Sequence, residues 1–574
     1  MSFFATQANA DDTGQQDFSS SIRSALIALP FLFPIAAGPS VSVWQQLASW
    51  LCVAALFLLS RAKDFKPAPS TTLWLIASVV LIAIFRSAHL GPAPWLSSIT
   101  VVFAIGMAAF MGAGLAKDRA QVQTALAQGL LWAGVVSAVI GLLQYYDLAG
   151  FLWPWATEPG AGQAFGNLRQ RNQFASLISM ALIAALWLYA RYRIGPLQRR
   201  LLWAGMVSLL LVAAAASTSR TGLLEVLSIV GVAAFIARRE RQARRADPAS
   251  AIRLPAPLIL LSWIPLYFAI AWLLPQLAGS GVDSMMQRLS AGAPVGHSRL
   301  ILWGNVLALI SEHPWAGWGW GELSYAHYMH STLYPGARFV EILDNAHNLP
   351  LHLAVELGIP AATLICGGFL WLLITAKPWR ERDPFRLMAW GLLGVIVLHS
   401  LLEYPLWYGP FQLVFGLCLG VLWPAADRRD SEVRRWTRKL PAASAAVLIA
   451  IVGYAGWDYI RISQIYLPRD ERLPAYQDDT LAKVQSSWLF SNQVDFAKLT
   501  LTSVTSANAA EMHALATRIL HFSPEPRVIV KLIESAELLG YKAEARTEAE
   551  RFSIAFPLQY ELWIEARPID SSAP

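Results

Sequence analysis

Charge is scarce in this sequence. Of its 574 residues only 14% are Asp, Glu, Lys or Arg, while 55% are hydrophobic. A soluble globular chain carries roughly a quarter charged residues, and a disordered one is poorer still in apolar residues, so the composition excludes both classes. Cysteine is nearly absent. Cys52, Cys366 and Cys418 each lie inside an apolar run, and none is spaced as a metal-ligand pair. That excludes a disulfide framework and a zinc site and leaves burial as their role. A phosphate-binding loop and a serine-nucleophile motif are missing as well. What is present instead is a series of long apolar runs and 24 Trp, the residue that collects at membrane–water boundaries.

Thirteen apolar runs predict helices, over residues 22–37, 43–59, 73–84, 99–115, 126–143, 174–190, 201–216, 223–237, 258–274, 351–374, 388–402, 406–422 and 442–457. Crossing the hydrocarbon core takes about 20 apolar residues, and in lipid a single segment satisfies its own backbone only as a helix. The expected fold class is therefore an all-α polytopic membrane protein with about thirteen transmembrane helices. Basic residues gather in alternate loops, as in Arg61, Lys63 and Lys66, in Arg238 to Arg245, and in Arg428 to Lys439. The opposite short loops hold only Arg86, Arg169, Arg171 and Arg220. By the positive-inside rule the basic side is cytoplasmic, which orients the chain N-in and C-out. The net charge of +7 is then a topology signal, and no nucleic acid partner is needed to explain it.

This topology sends residues 147–172, 276–348 and the tail from Arg461 to the outer side. The expected organisation is a transmembrane bundle (1–275), an outer loop (276–349), further transmembrane helices (350–460) and a soluble helical tail (461–574). The tail carries 15 acidic against 12 basic residues. Its breakers at Ser523-Pro524-Glu525-Pro526 and Leu539-Gly540-Tyr541 predict paired helices, loosely like a tetratricopeptide unit.

Polar residues at membrane depth are costly and point to function unless a partner explains them. Four places stand out at outer helix ends. Gly166-Asn167-Leu168-Arg169-Gln170-Arg171-Asn172 offers amides and guanidiniums where a helix N-terminus favours anions, so Arg171 is a candidate anion ligand. A polar cap with interfacial Arg is the competing reading. In Ser217-Thr218-Ser219-Arg220-Thr221-Gly222 the small residues serve a tight turn, whereas Arg220 suits bidentate phosphate recognition. In the long loop, Arg288, Arg299 and the run His313 to Gly321 accompany an apolar stripe over 299–310 that predicts an interfacial helix. Both arginines fit a lipid headgroup equally well. Lastly, Asp344-Asn345-Ala346-His347-Asn348-Leu349-Pro350 marks a helix start, with His347 just beyond its positive end. A helix N-terminus favours the neutral imidazole that a general base requires. Deeper lie Glu225, then His352 and Glu356 four residues apart, and Glu403 in Glu403-Tyr404-Pro405-Leu406-Trp407-Tyr408.

At these residues the chain resembles the O-antigen ligase and polymerase superfamily. The Gly166–Asn172 and Glu403–Tyr408 motifs are more narrowly similar to bacterial protein O-oligosaccharyltransferases, the pilin glycosylation ligases. The resemblance implies transfer of a glycan from an undecaprenyl diphosphate carrier on the periplasmic face of the inner membrane, with no cofactor and no metal. It implies His347 as the essential loop histidine, and Arg220 with either Arg299 or Arg288 on the diphosphate. The family's glutamine falls on Gln170 and its tyrosine on Tyr404 or Tyr408. Asn172, Asn345, Asn348 and Glu403 complete the substrate-binding expectation. The partners implied are a lipid-linked oligosaccharide donor, an exported or pilin-type acceptor protein, and membrane lipid. Lipid A core and a second lipid-linked repeat are the alternative acceptors, as in O-antigen ligases and polymerases. A transporter of the same donor is the non-enzyme alternative. Transporters tend to show inverted repeats with broken midplane helices, and here no repeat is evident and the polar residues gather at the outer edge.

Overall fold

The computed structural model describes residues 10–35, 37–40, 42–59, 69–85, 92–115, 120–157, 160–192, 196–278, 298–331, 338–424 and 440–567. Among these residues the architecture is helical throughout, and the only β pairing is an isolated bridge between Pro69 and Pro424. Among the described residues, eight helices are long and apolar enough to cross a membrane. The remaining predicted runs appear as five shorter apolar helices: Ser19–Leu32, Val43–Leu59, Thr71–Phe85, Pro384–Ser400 and Gly409–Leu422. The chain is a multi-pass membrane protein.

One predicted run is corrected. Residues 351–374 do not form a single helix, because Leu349–Leu357 ends at Gly358 and a new helix, Ile359–Ala376, begins. Gly358 has φ +86°, and a Cβ there would stand 2.4 Å from the Trp315 carbonyl oxygen. Gly317, at φ +68°, makes the reciprocal approach to Glu356. Only glycine fits either position. In the gap so created the Trp318 and Gly319 amides donate to the Val355 and Glu356 carbonyls, both at 2.9 Å, and the Ile359 amide donates to Pro314 at 2.8 Å. The first two bonds occupy carbonyls that a helix end leaves open, and the third an amide that a helix start leaves open.

The described chain divides into two compact units. The first comprises Met1–Trp74, Val101–Gly292 and Leu372–Gly453. At its centre runs the helix Arg171–Tyr192, with 89% of its apolar window buried, flanked by Ala120–Tyr145, Leu197–Ala216, Arg220–Ala246 and Pro384–Ser400. Gly222 lets a neighbour approach it, since a Cβ there would lie 2.4 Å from Ala175 Cβ. Small residues at such contacts let helices pack closely where no hydrophobic drive separates lipid from protein.

The second unit comprises Leu75–Thr100, Ala293–Trp371 and Tyr454–Pro574. The helix Arg299–Glu312 forms as its apolar stripe predicts, with Leu300 and Leu307 exposed and another face turned to the loop. Leu302, Val306, Leu309 and Ile310 are buried with Leu323, Phe339, Leu343 and Ala346. Burying side chains of this size is worth about 1.5–3 kcal/mol each, so the loop has a core of its own. The tail breaks where expected, giving the helices Ala509–Phe522, Pro526–Leu538, Lys542–Ala555 and Pro557–Ala566. Their core takes in Tyr328 from the short loop helix Leu323–Met329.

Candidate active site

In the first unit, two helix starts and the end of a third helix are joined by side chains. Ser219 caps the helix Arg220–Ala246, its Oγ accepting the Gly222 amide at 2.9 Å. The same hydroxyl donates to Asn172 Oδ1 at 2.6 Å. The other end of the Asn172 amide donates to Glu403 Oε1 at 2.8 Å. Glu403 is buried, and its amide is held by the His399 carbonyl at 2.7 Å. Asn172 and Glu403, expected to bind substrate, thus spend these atoms on joining helices. Arg220, the first residue of its helix, stays exposed, while Ser217, Thr218 and Ser219 beneath it are buried.

The turn before Asn172 is organised by a residue that the motifs did not single out. Gln144, fully buried, accepts the Gly166 and Phe165 amides at 2.7 and 3.2 Å on its oxygen. Its amide donates to the Thr157 and Gly166 carbonyls at 2.8 and 3.1 Å. Asn167 adds bonds to the Leu32 and Trp155 carbonyls at 2.8 and 3.0 Å. Gln170 and Arg171, both half-buried, follow this turn, with Arg171 opening the central helix. Tyr404 stacks on Tyr408 with ring centroids 5.8 Å apart. One turn below Asn172, Ser176 Oγ bridges Glu225 Oε1 at 2.6 Å and His399 Nδ1 at 2.8 Å. A hydroxyl lying between a carboxylate and an imidazole is a structural bridge. In a nucleophilic triad the imidazole would stand in the middle.

In the second unit, His347 occupies a left-handed backbone conformation with φ +49°. Such a conformation in a residue with a side chain costs of order 1–3 kcal/mol and persists only where the surroundings impose it. They do so here. The His347 amide donates to Asn345 Oδ1 at 2.9 Å, and the preceding carbonyl, of Ala346, accepts Trp303 Nε1–H at 3.0 Å. Asn348 then caps the helix Leu349–Leu357, its Oδ1 accepting the Leu351 amide at 3.1 Å. His347 therefore stands one residue before the cap, as the sequence suggests. Asn345 and Asn348, also expected to bind substrate, put these oxygens to shaping the turn. His352 Nε2 lies 3.4 Å from Glu356 Oε2 with both side chains buried, so the two meet on one helix face as their four-residue spacing predicts. Arg299 opens its helix behind the cap Ser298. Arg288 lies outside the described residues.

The comparisons fall on these same segments. A family model described as protein glycosylation ligase matches residues 164–189, and one described as O-antigen ligase matches 205–366. A third, the C-terminal part of a virulence factor membrane-bound polymerase, matches 387–568. A general O-oligosaccharyltransferase of Acinetobacter baylyi is 24% identical over 323 residues, which is 53% of this chain and 51% of that protein. The chain thus spans about half the length of the curated relative that it matches. The motif turn, the histidine loop and the tail are thus each similar to O-antigen ligases, membrane-bound polymerases or protein O-oligosaccharyltransferases.

Proposed function

We propose that the protein transfers an oligosaccharide from an undecaprenyl diphosphate carrier to Ser or Thr hydroxyls of exported, pilin-type proteins. The observation that carries this reading is where the matches fall. The glycosylation-ligase match contains Gln170, Arg171 and Asn172, and the O-antigen-ligase match contains Arg220, Arg299 and His347. The chain crosses the inner membrane thirteen times, N-in and C-out, with the loop and tail in the periplasm.

In this mechanism the acceptor hydroxyl attacks the anomeric carbon, and its proton passes to the imidazole of His347. The bond from the anomeric carbon to the phosphate oxygen breaks, and the lipid diphosphate leaves with the electron pair. A hydroxyl is a poor nucleophile until a base takes its proton in the transition state. Arg220 and Arg299, with Arg171, offset the charge that grows on the leaving diphosphate. One displacement inverts the anomeric centre. Gln170 and Tyr404 contact the donor or the acceptor. In this reading the residues supply the base and the stabilisation of the leaving group, with no part for a metal or cofactor.

A second reading is favoured by the O-antigen-ligase and polymerase descriptions of two matches: the acceptor is lipid A core or another lipid-linked repeat. Reconstitution in proteoliposomes with lipid-linked oligosaccharide separates them. A glycosylated pilin-type protein is the expected product. Glycan found only on lipid A core, or only on a second lipid-linked repeat, would reject the protein acceptor.

A further inference from the structure

We infer that Arg338 is a positioning residue that ties the tail helix Lys542–Ala555 to the segment leading into His347, so that the helical tail sets the geometry of the histidine turn. The inference rests on the general-base reading of His347.

Arg338 Nη1 donates to the carbonyls of Ala555 and Phe339, each at 3.2 Å. Ala555 ends its helix, where carbonyls lack intrahelical partners and a cation is favoured. The other arm of the guanidinium lies 3.2 Å from His327 Nδ1. Arginine has only donors, so Nδ1 must accept and the imidazole proton must sit on Nε2. That proton points at Asn305 Oδ1, 3.2 Å away, and the same oxygen accepts the Phe339 amide at 2.8 Å. One consistent set of donors therefore runs from the tail through Arg338 and His327 to the backbone of Phe339. Burial and the adjacent guanidinium hold His327 well below the usual imidazole range, which keeps it in the neutral tautomer that the set requires.

From Phe339 the chain runs through the loop core, with Leu343 and Ala346 buried beside Phe339. It reaches the Trp303 bond one residue before His347. The segment is thus fixed at both ends. The loop helix is held to the tail independently by Tyr328, which donates to Glu548 at 2.8 Å, and by His521 against Glu322 at 2.8 Å. Removing Arg338 should loosen the segment without detaching the tail.

The test uses full-length protein in proteoliposomes with undecaprenyl diphosphate oligosaccharide and an acceptor protein, alongside amide hydrogen exchange. Misplacing a reacting group by about 1 Å can cost on the order of a hundredfold. The Asn345 and Asn348 bonds remain, so Arg338→Ala should lower kcat about tenfold and leave donor KM within about twofold. Exchange at the Phe339 and His347 amides should quicken while residues 509–538 stay protected. Arg338→Lys, which keeps a cation at the helix end, should recover part of the rate. Wild-type kcat and exchange in Arg338→Ala would overturn the inference, and so would loss of protection throughout the tail, which would make Arg338 a fold-stabilising residue only. An active His347→Ala variant would sink the general-base reading while the exchange result still decides the tether.

Discussion

The two polar clusters are built on opposite plans. In the first unit the bonds join residues far apart in sequence: Asn172 to Glu403 spans 231 positions and Asn172 to Ser219 spans 47. Around His347 the turn is closed mainly by neighbours, with Asn345 two residues before it and the Asn348 cap immediately after, and Trp303 adds one remote bond to the Ala346 carbonyl. The distributed cluster costs stability when one partner is lost, because a buried polar group is then stranded. The local turn leaves the fold alone and places one side chain. Stability and chemistry should therefore respond to different substitutions.

The strongest test of that contrast is His347→Ala. As the general base it should contribute on the order of 10²–10⁴ in rate. Transfer measured in proteoliposomes should nearly vanish while expression and donor binding hold. Full activity in the variant would end the proposed mechanism. Arg220→Ala and Arg299→Ala should each cost about ten- to a hundredfold in use of the diphosphate donor, since charge-assisted contacts are worth about 1.5–3 kcal/mol. Unchanged donor kinetics in both would make them headgroup anchors.

The opposite behaviour is expected for Glu403→Ala. It strands the Asn172 amide and should destabilise the first unit by about 1–3 kcal/mol, read as an earlier unfolding midpoint in detergent. Glu403→Gln, which keeps an acceptor, should lose less. A midpoint equal to wild type in Glu403→Ala would show that the cluster is not structural. The smallest effect concerns His327. Its folded pKa lies well below 6.5, so the unfolded state alone takes up a proton as the pH falls through that value. Stability should be unaffected well above about pH 6.5 and decline below it, by at most about 1.4 kcal/mol per pH unit. His327→Gln should flatten that decline.

Local signals were legible and remote ones were not. Asn348 and Pro350 announce a helix start because a cap is a property of adjacent residues. The apolar runs announce helices because hydrocarbon leaves the backbone no other way to satisfy itself. The break at Gly358 was hidden, since its cause is the backbone of Trp315 and Gly317 some forty positions away. The same holds for Gln144, whose four bonds reach residues 157–166, for Trp303 on Ala346, and for Arg338 on Ala555. A glutamine in the last turn of an apolar helix was a signal that could have been followed. Nothing in the sequence around Arg338 or Trp303 names a partner.

The short helix that follows His347 behaves as a strut clamped at both ends. Just before its first turn the Ala346 carbonyl is held by Trp303, and its last carbonyls are gripped by the Trp318 and Gly319 amides. A strut of nine residues held in this way neither slides nor rotates without breaking bonds at both clamps together. The histidine at its mouth therefore has the side-chain torsions as its soft degrees of freedom. A base mounted on so stiff a support reaches its proton by rotating a ring rather than by moving a loop, and the reach of the imidazole sets how far from the turn the reacting hydroxyl can stand.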